Sequence, residues 1–283
     1  MATACLQKEI KGHPCFGGNH HRNGRMHLAV APRCNIKCGY CTRRHDCANE
    51  NRPGAASRLL TPGEAVEKVR EVMGSRLLGP IIKVIGIAGP GDPLVNRETF
   101  ETFALLGKEF PHLIKCMSTN GLLLPEKVGL LHELGLNSLT VTINAVDPEI
   151  GARIYSFINY HGRRYGGVTA AEILISNQLQ GIRMAAEMGM IVKVNTVLIP
   201  GVNEEEIPLL ASKAKELGAA VMNVMPLIPQ ADFSHIAPPD PKLLEDVRAE
   251  SERIIGQMRH CRQCRADAVG LIGGDAEFAE AGC

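Results

Sequence analysis

Three cysteines fall within the stretch CNIKCGYC, at Cys34, Cys38 and Cys41. Four chemistries compete for that spacing. A structural zinc site takes four protein ligands, commonly as paired CxxC groups, and the other such pair here, Cys261 and Cys264, lies far downstream. A disulfide would leave one thiol over. A ferredoxin-type cluster draws four cysteines from its own neighbourhood, and Cys15 and Cys47 do not match those spacings. The fourth chemistry is a [4Fe–4S] cluster held by three thiolates. Its remaining iron is then open to a substrate or cofactor, as an open position marks a catalytic metal site.

Such a loop needs a scaffold, and the sequence supplies one. Short β-branched runs at Met26–Ala31, Ile81–Ala88, Leu113–Thr119, Ser138–Asn144, Ile191–Ile199 and Ala220–Ile228 alternate with helical patterns. Those patterns span Pro62–Met73, Arg97–Glu109, Pro125–Leu134, Ala170–Glu187, Glu204–Leu217 and Pro241–Met258. Alternation of this kind predicts βα units and a parallel sheet, α/β in class. A partial (βα)6 TIM-type barrel is expected, with a doubly wound open sheet as its competitor. The polar residues favour the barrel: the cysteine loop, the turn Gly89–Asp92, Ser118–Gly121 and Asn144 all follow strand ends, where barrel enzymes place their chemistry. One catalytic domain is expected, with residues 25–258 as the barrel and irregular extensions at 1–24 and 259–283. The aromatic and basic stretch Tyr155–Gly167 reads as a loop that could form part of a lid.

The chain has 283 residues, 45% apolar and 22% charged, with a formal net charge of +1. That length can bury a full core, and that charge gives no reason to expect nucleic acid or a membrane surface as partner. Neither a signal peptide nor the roughly 18-residue apolar run of a membrane span is present in the sequence. The expected location is therefore cytoplasmic, where ten cysteines point to metal or redox chemistry rather than disulfides.

A CxxxCxxC loop with an aromatic residue, Tyr40, before its last cysteine, directly after the first strand of a βα series, resembles the radical S-adenosylmethionine (SAM) superfamily. The resemblance implies that the open iron binds the amino and carboxylate groups of SAM, and that one electron cleaves the sulfonium to a 5′-deoxyadenosyl radical. It also implies a Gly-rich turn after the second strand for the methionine amine. The superfamily's usual turn has paired glycines and a glutamate; here AGPGDP offers Gly89, Gly91 and Asp92. Glycines allow close backbone approach and a carboxylate pairs with an ammonium. Asn120 and Asn144 are further cofactor-binding candidates, with Asn144 set for the ribose or carboxylate. Pro200–Gly201 and Met225 are candidates for bordering adenine, core or turn packing being the alternative for these and for Asn144.

The remaining motifs are more specific. His13-Pro14-Cys15-Phe16, Gly24-Arg25-Met26-His27, Asp46-Cys47-Ala48-Asn49-Glu50, Arg52-Pro53-Gly54, Cys116 with Ser118–Gly121, Val141–Pro148 and Cys261–Ala268 together resemble the NifB family of nitrogenase cofactor maturases. Many of its members continue into a second, cluster-carrying domain. This chain stops soon after Gly270, so the catalytic domain alone, a form found in archaeal methanogens, is expected. The resemblance implies fusion of two [4Fe–4S] clusters, K1 and K2, into an eight-iron core with a carbide from the SAM methyl group and one extra sulfide. Its product feeds the nitrogenase iron–molybdenum cofactor. Partners would be iron–sulfur donor and acceptor proteins and an electron donor, with the chain itself a monomer.

Two free-standing [4Fe–4S] clusters need about eight ligands. Beyond the loop, the donors are Cys15, Cys116, Cys261, Cys264 and one N-terminal histidine. That set suits clusters that must be joined and released. The expected assignment gives K1 to Cys261, Cys264 and a histidine, and K2 to Cys15 and Cys116, which also stands as a catalytic residue. His21, in an exposed loop, is preferred over His13, His20 and His27. Glu50 is a candidate for proton handling or for capping the open iron, against a plain salt bridge with Arg52. Cys47 is read as packing beneath the loop, and Cys5 and Cys283 as frayed ends. Two rivals stand beside this reading: a cluster carrier without SAM chemistry, and a radical SAM enzyme whose extra clusters only transfer electrons or bind peptide.

Overall fold

A computed structural model describes residues 12–16, 19–44, 47 and 50–274. Cys5, Asp46, Ala48, Asn49 and Cys283 lie outside the described residues. The chain begins with strands β1 (Gly24–His27) and β2 (Ile36–Cys38), then α1 (Pro62–Gly74), β3 (Ile82–Ile87), α2 (Arg97–Glu109), β4 (Ile114–Thr119) and α3 (Leu124–Glu133). It continues through β5 (Ser138–Thr142), α4 (Pro148–Ile154), β6 (Tyr155–Tyr160), β7 (Arg163–Tyr165), α5 (Gly167–Glu187) and β8 (Ile191–Leu198). Last come α6 (Ile207–Glu216), β9 (Val221–Pro226), α7 (Pro241–Glu252) and β10 (Val269–Gly270).

Strands β1, β3, β4, β5, β8 and β9 pair in parallel and in chain order, giving the expected partial (βα)6 barrel. Helices cover the outer face, so strands such as β3 and β8 are buried along nearly their whole length. Local chemistry sets the helix ends. Thr61 and Glu64 form a capping box on α1 with Pro62 at its first position, and Asp147 and Asp240 cap α4 and α7. Helix faces such as Thr99, Thr102, Phe103 and Leu106 of α2 meet the strands in one apolar core.

A partial barrel has two open edges, and the C-terminal segment engages both. At the β9 edge, Met222 N–H donates to Gly256 O (2.9 Å) and Met258 N–H to Met222 O (2.8 Å). At the β1 edge, β10 pairs antiparallel, Arg25 opposite Gly270. Residues 259–268 therefore cross from one edge to the other, carrying Cys261 and Cys264. This is also why α7 stops at Glu252 rather than reaching Met258: the backbone after it joins the sheet edge. Helix α6 likewise starts late, because the Glu204 carboxylate turns back to accept from Gly201 and Val202 N–H (2.8 and 3.0 Å).

The stretch Tyr155–Gly167 is not a loop. It forms the hairpin β6–β7 around a turn at His161–Gly162, and β6 pairs antiparallel with β2, Cys38 opposite Tyr155. Aromatic and polar residues hide a strand here, with Tyr155 and Ile158 buried and Ser156 and Asn159 exposed. The hairpin is a backing for the cysteine loop. Asn159 N–H donates to Asn35 O (2.7 Å) and Gly39 N–H to Ile154 O (2.8 Å). No described helix is long and apolar enough to cross a membrane.

Candidate radical SAM site

Seven thiols, those of Cys15, Cys34, Cys38, Cys41, Cys116, Cys261 and Cys264, line one cavity of about 330 Å³ on the barrel's inner side. They fall into two groups. Cys34, Cys38 and Cys41 interact with one another, and Cys15 interacts with Cys116 and Cys261.

The first group sits on a loop held from every side. Gly39 is required there, because a Cβ would come within 2.5 Å of the Phe233 ring. Cys41 N–H donates to Cys38 O (3.1 Å), and the Lys37 ammonium to Cys41 O. Asn120, also lining the cavity, donates to Asn35 Oδ1 (2.7 Å) and lies 3.8 Å from Cys34 Sγ. Tyr40 lines the cavity and receives an N–H from Asn144 (2.8 Å). Asn144 itself is fully buried behind the wall, where it also holds Tyr155 (3.2 Å) and accepts from Val197 N–H (2.9 Å). With both amide hydrogens committed, Asn144 acts on the pocket through Tyr40 rather than by touching a ligand.

The turn after β3 supplies the neighbouring wall. A Cβ on Gly91 would lie 2.3 Å from Arg33 O, so no other residue fits that approach. Asp92 is buried; its carboxylate accepts from Leu94 N–H (3.0 Å), the Thr119 hydroxyl (2.8 Å) and Asn120 N–H (2.6 Å). Gly91, Asp92 and Met225 line the cavity. Gly89 sits behind the turn near Ala266, and Gly201 is in a turn outside the lining.

Burial pushes the Cys34 thiol up to about 11, with Asp92 adding to the effect, and raises Cys38 further. It also raises Cys15 and Cys116. Buried neutral thiols of this kind give up their protons to a metal centre that supplies positive charge. No three His, Cys, Asp or Glu side chains among the described residues converge on a single ion. A cluster needs no such convergence, since each thiolate takes a different iron atom.

The second group gathers around cations that sequence reading did not single out. Lys193 on β8 and Arg25 on β1 are buried and line the cavity. Arg25 donates to Cys264 Sγ (3.1 Å) and to the carbonyls of Gly270 and Leu271 (2.7 and 3.0 Å). Burial opposes the Lys193 ammonium, yet the thiols of Cys15, Cys261, Cys116 and Cys264 outweigh it and raise its pKa. The available signal was a lysine within the apolar run IVKVNTVL, where an inward charge needs a reason.

Two histidines line the same cavity, and His21 does not: it is exposed, ring to ring with His20. His13 is buried; its Nδ1 accepts from Cys15 N–H (3.1 Å), which leaves the ring proton on Nε2, an atom with no partner. His27 is the reverse case. Its Nδ1 meets Arg265 O (2.9 Å), so the proton sits there and Nε2 keeps its lone pair. A ring nitrogen tied to a carbonyl with the other free is the arrangement of a metal-bound histidine. Glu50 pairs with Arg52 and is outside the lining, although Arg52 is in it. Cys47 is also outside, its N–H bonded to Ala56 O (2.9 Å) and its carbonyl accepting from Arg265 (3.1 Å).

The family model of the radical SAM superfamily matches residues 28–214. The chain is 44% identical over 281 residues to the FeMo cofactor biosynthesis protein NifB of Klebsiella pneumoniae, covering 96% of this chain and 59% of that protein. It is 42% identical over 268 residues to the NifB of Chlorobaculum tepidum, covering 93% and 62%. The chain thus spans about three fifths of the length of these curated relatives. Among solved structures it resembles Streptococcus suis SuiB bound to precursor peptide SuiA, with a TM-score of 0.59 at 14% identity, covering 93% of this chain and 53% of SuiB. It also resembles TYW1 with a lysine-pyruvate adduct bound, with a TM-score of 0.51 at 14% identity, covering 89% and 82%. Those two likenesses are of fold. A three-cysteine loop after the first strand of a partial (βα)6 barrel, matched by the family model across most of the chain, places this protein in the radical SAM superfamily of enzymes.

Proposed function

We propose that this chain is a maturase that joins two [4Fe–4S] clusters, K1 and K2, its substrates, with a carbide from the SAM methyl group and an extra sulfide. The product is the eight-iron precursor of the nitrogenase iron–molybdenum cofactor. One observation carries the reading: Cys15, Cys116, Cys261 and Cys264 open into the same cavity as the three-cysteine loop. The likeness to NifB proteins over nearly the whole chain supports it.

Cys34, Cys38 and Cys41 would hold the superfamily's [4Fe–4S] cluster, which supplies the electron that cleaves SAM. Tyr40, clamped by Asn144, and Asn120, clamped by Asn35 and Asp92, keep the loop and the cofactor wall in register. Gly91 lets the backbone approach SAM, and Asp92 sets the turn, while Met225 offers an apolar border. Cys261 and Cys264 with His27 are assigned to K1, and Cys15 with Cys116 to K2. His27 replaces His21 because its Nε2 lone pair is in the cavity wall and its tautomer is fixed by Arg265 O. Glu50, paired with Arg52 at the edge of the site, is assigned to proton handling. Cluster donor and acceptor proteins and an electron donor complete the cycle.

The test is iron counting after anaerobic reconstitution. Wild type is expected to hold about twelve irons per chain, as three clusters of four. Cys34→Ala should abolish 5′-deoxyadenosine formation, and Cys261→Ala with Cys264→Ala should remove the roughly four irons of K1 while leaving the loop cluster. A wild-type chain holding about four irons would defeat the reading, and a chain that binds clusters but never cleaves SAM would be a carrier.

A further inference from the structure

Two lysines are buried among the described residues, and they are used differently. Lys115, 9% exposed, donates to Leu134 O at 2.6 Å and so closes the end of α3. Lys193, 7% exposed, reaches no carbonyl or carboxylate among the described residues. Its ammonium lies 3.7 Å from Met258 Sδ and 5.9 Å from the Phe16 ring centre. Burying an ammonium without a counter-charge is costly, and the sole carboxylate among the described residues lining the cavity, Asp92, is already occupied at the cysteine loop. What surrounds Lys193 is sulfur: Cys15, Cys116, Cys261 and Cys264. Two further donors face the same space, the Arg25 guanidinium and the partnerless, buried Nε2–H of His13. None of these three can accept a hydrogen bond from a ligand in this arrangement, and all suit an anion.

We infer that Lys193 is the counter-cation of an anionic iron–sulfur substrate in this chamber, contacting its sulfides while the four cysteines hold its irons. The inference rests on the proposed maturase reading and adds to it a residue that binds without ligating. Cluster sulfides are anionic hydrogen-bond acceptors, and in a buried chamber their charge is met by protein donors and cations. Lys193 meets it from β8, four strands along the sheet from β1 and Arg25. His13 adds a directional donor from the N-terminal segment, placed by the bond from Cys15 N–H to its Nδ1.

The experiment compares wild type, Lys193→Met, Lys193→Gln and Lys193→Arg. Each is loaded anaerobically with iron and sulfide and desalted, then read by iron content, by redox titration under electron paramagnetic resonance, and by melting of the iron-free chain. The methionine and glutamine variants should retain about four irons against about twelve, a threefold loss. Any auxiliary signal that remains should shift to more negative potential, since a positive charge beside it is gone. The arginine variant should restore retention. The iron-free methionine chain should melt no lower than wild type, because a buried unpaired charge has been replaced by an apolar group. A structural role predicts the opposite pattern: lower melting with iron and potentials unchanged. Full retention at unaltered potentials in both neutral variants, or unfolding of both, would overturn the inference. Wild type holding only about four irons would instead overturn the maturase reading beneath it.

Discussion

Asn144 donates one amide hydrogen to Tyr40 and the other to Tyr155, while its oxygen accepts from Val197 N–H. The residue at the end of β5 is thereby coupled to the aromatic ring that precedes the last cysteine of the loop. The hydroxyl of Tyr40 also bonds to the Cys38 thiol. A fully buried side chain with all its bonds made is a rigid support.

Replacing Asn144 by Leu keeps the volume and removes every bond. Val197 N–H would be left buried without a partner, at about 1–3 kcal/mol, and the Tyr40 and Tyr155 hydroxyls would each lose one of their bonds. Urea unfolding of the iron-free chain should show a loss of at least about 2 kcal/mol with an unchanged m-value, and the loop cluster should be retained poorly. An Asn144→Leu chain of wild-type stability would show that the clamp contributes nothing.

Gly91 tests the cofactor wall. Alanine there would place a methyl against Arg33 backbone, which cannot swing away. SAM binding measured by equilibrium dialysis is expected to weaken at least tenfold, about 1.4 kcal/mol, with the loop's iron content intact. Undiminished SAM binding would remove the turn from the site.

The N-terminal histidines set an acid limit for the metal-free protein. Burial, helped by the Arg25 charge, lowers His27 from its ordinary 6.5 to about 4, and burial with Lys193 lowers His13 well below it. A histidine depressed in the folded state takes up its proton sooner when unfolded. The stability it confers is therefore full above pH 6.5 and is lost progressively as pH falls toward about 4. Melting of the iron-free chain should fall across that window, and His27→Gln should flatten the profile. A flat wild-type profile would contradict this.

Arg25 ties the returning C-terminal segment to β1 through Gly270 and Leu271 carbonyls and Cys264. Arg25→Leu should release that segment. Limited proteolysis is expected to cut after His260 at least tenfold faster than in wild type, about 1.4 kcal/mol of local stability. Equal cutting rates would place the anchor elsewhere.

Much of the scaffold was legible because the strands are buried on both faces and the helices carry periodic apolar faces. Strands β3, β4, β5, β8 and β9 and helix α2 stand within a residue or two of their sequence patterns. The six-unit series and the cysteine loop after its first strand followed from that. What escaped depended on partners distant in sequence. Tyr155–Tyr160 became a strand between Ile36–Cys38 on one side and Arg163–Tyr165 on the other, and α7 was cut short by pairing at Met222. Asn144 reads as a strand-end polar residue, yet Tyr40 claims it. His21 looked available because it is exposed, whereas exposure is what keeps it from the cavity; His27, in a core-patterned strand, faces it. Lys193 and Arg25 sat in apolar surroundings, and only the assembled chamber shows the thiols gathered around them.

In the proposed function, one cavity both cleaves SAM and builds carbon into an iron–sulfur product. Its most direct test is a single anaerobic incubation of the reconstituted chain with SAM labelled in the methyl carbon. S-adenosylhomocysteine, 5′-deoxyadenosine and label in the extracted cluster are assayed together. Both nucleoside products and acid-stable label within the cluster are expected, all lost when Cys116 is replaced by Ala. Deoxyadenosine alone, with no homocysteine product and an unlabelled cluster, would contradict it.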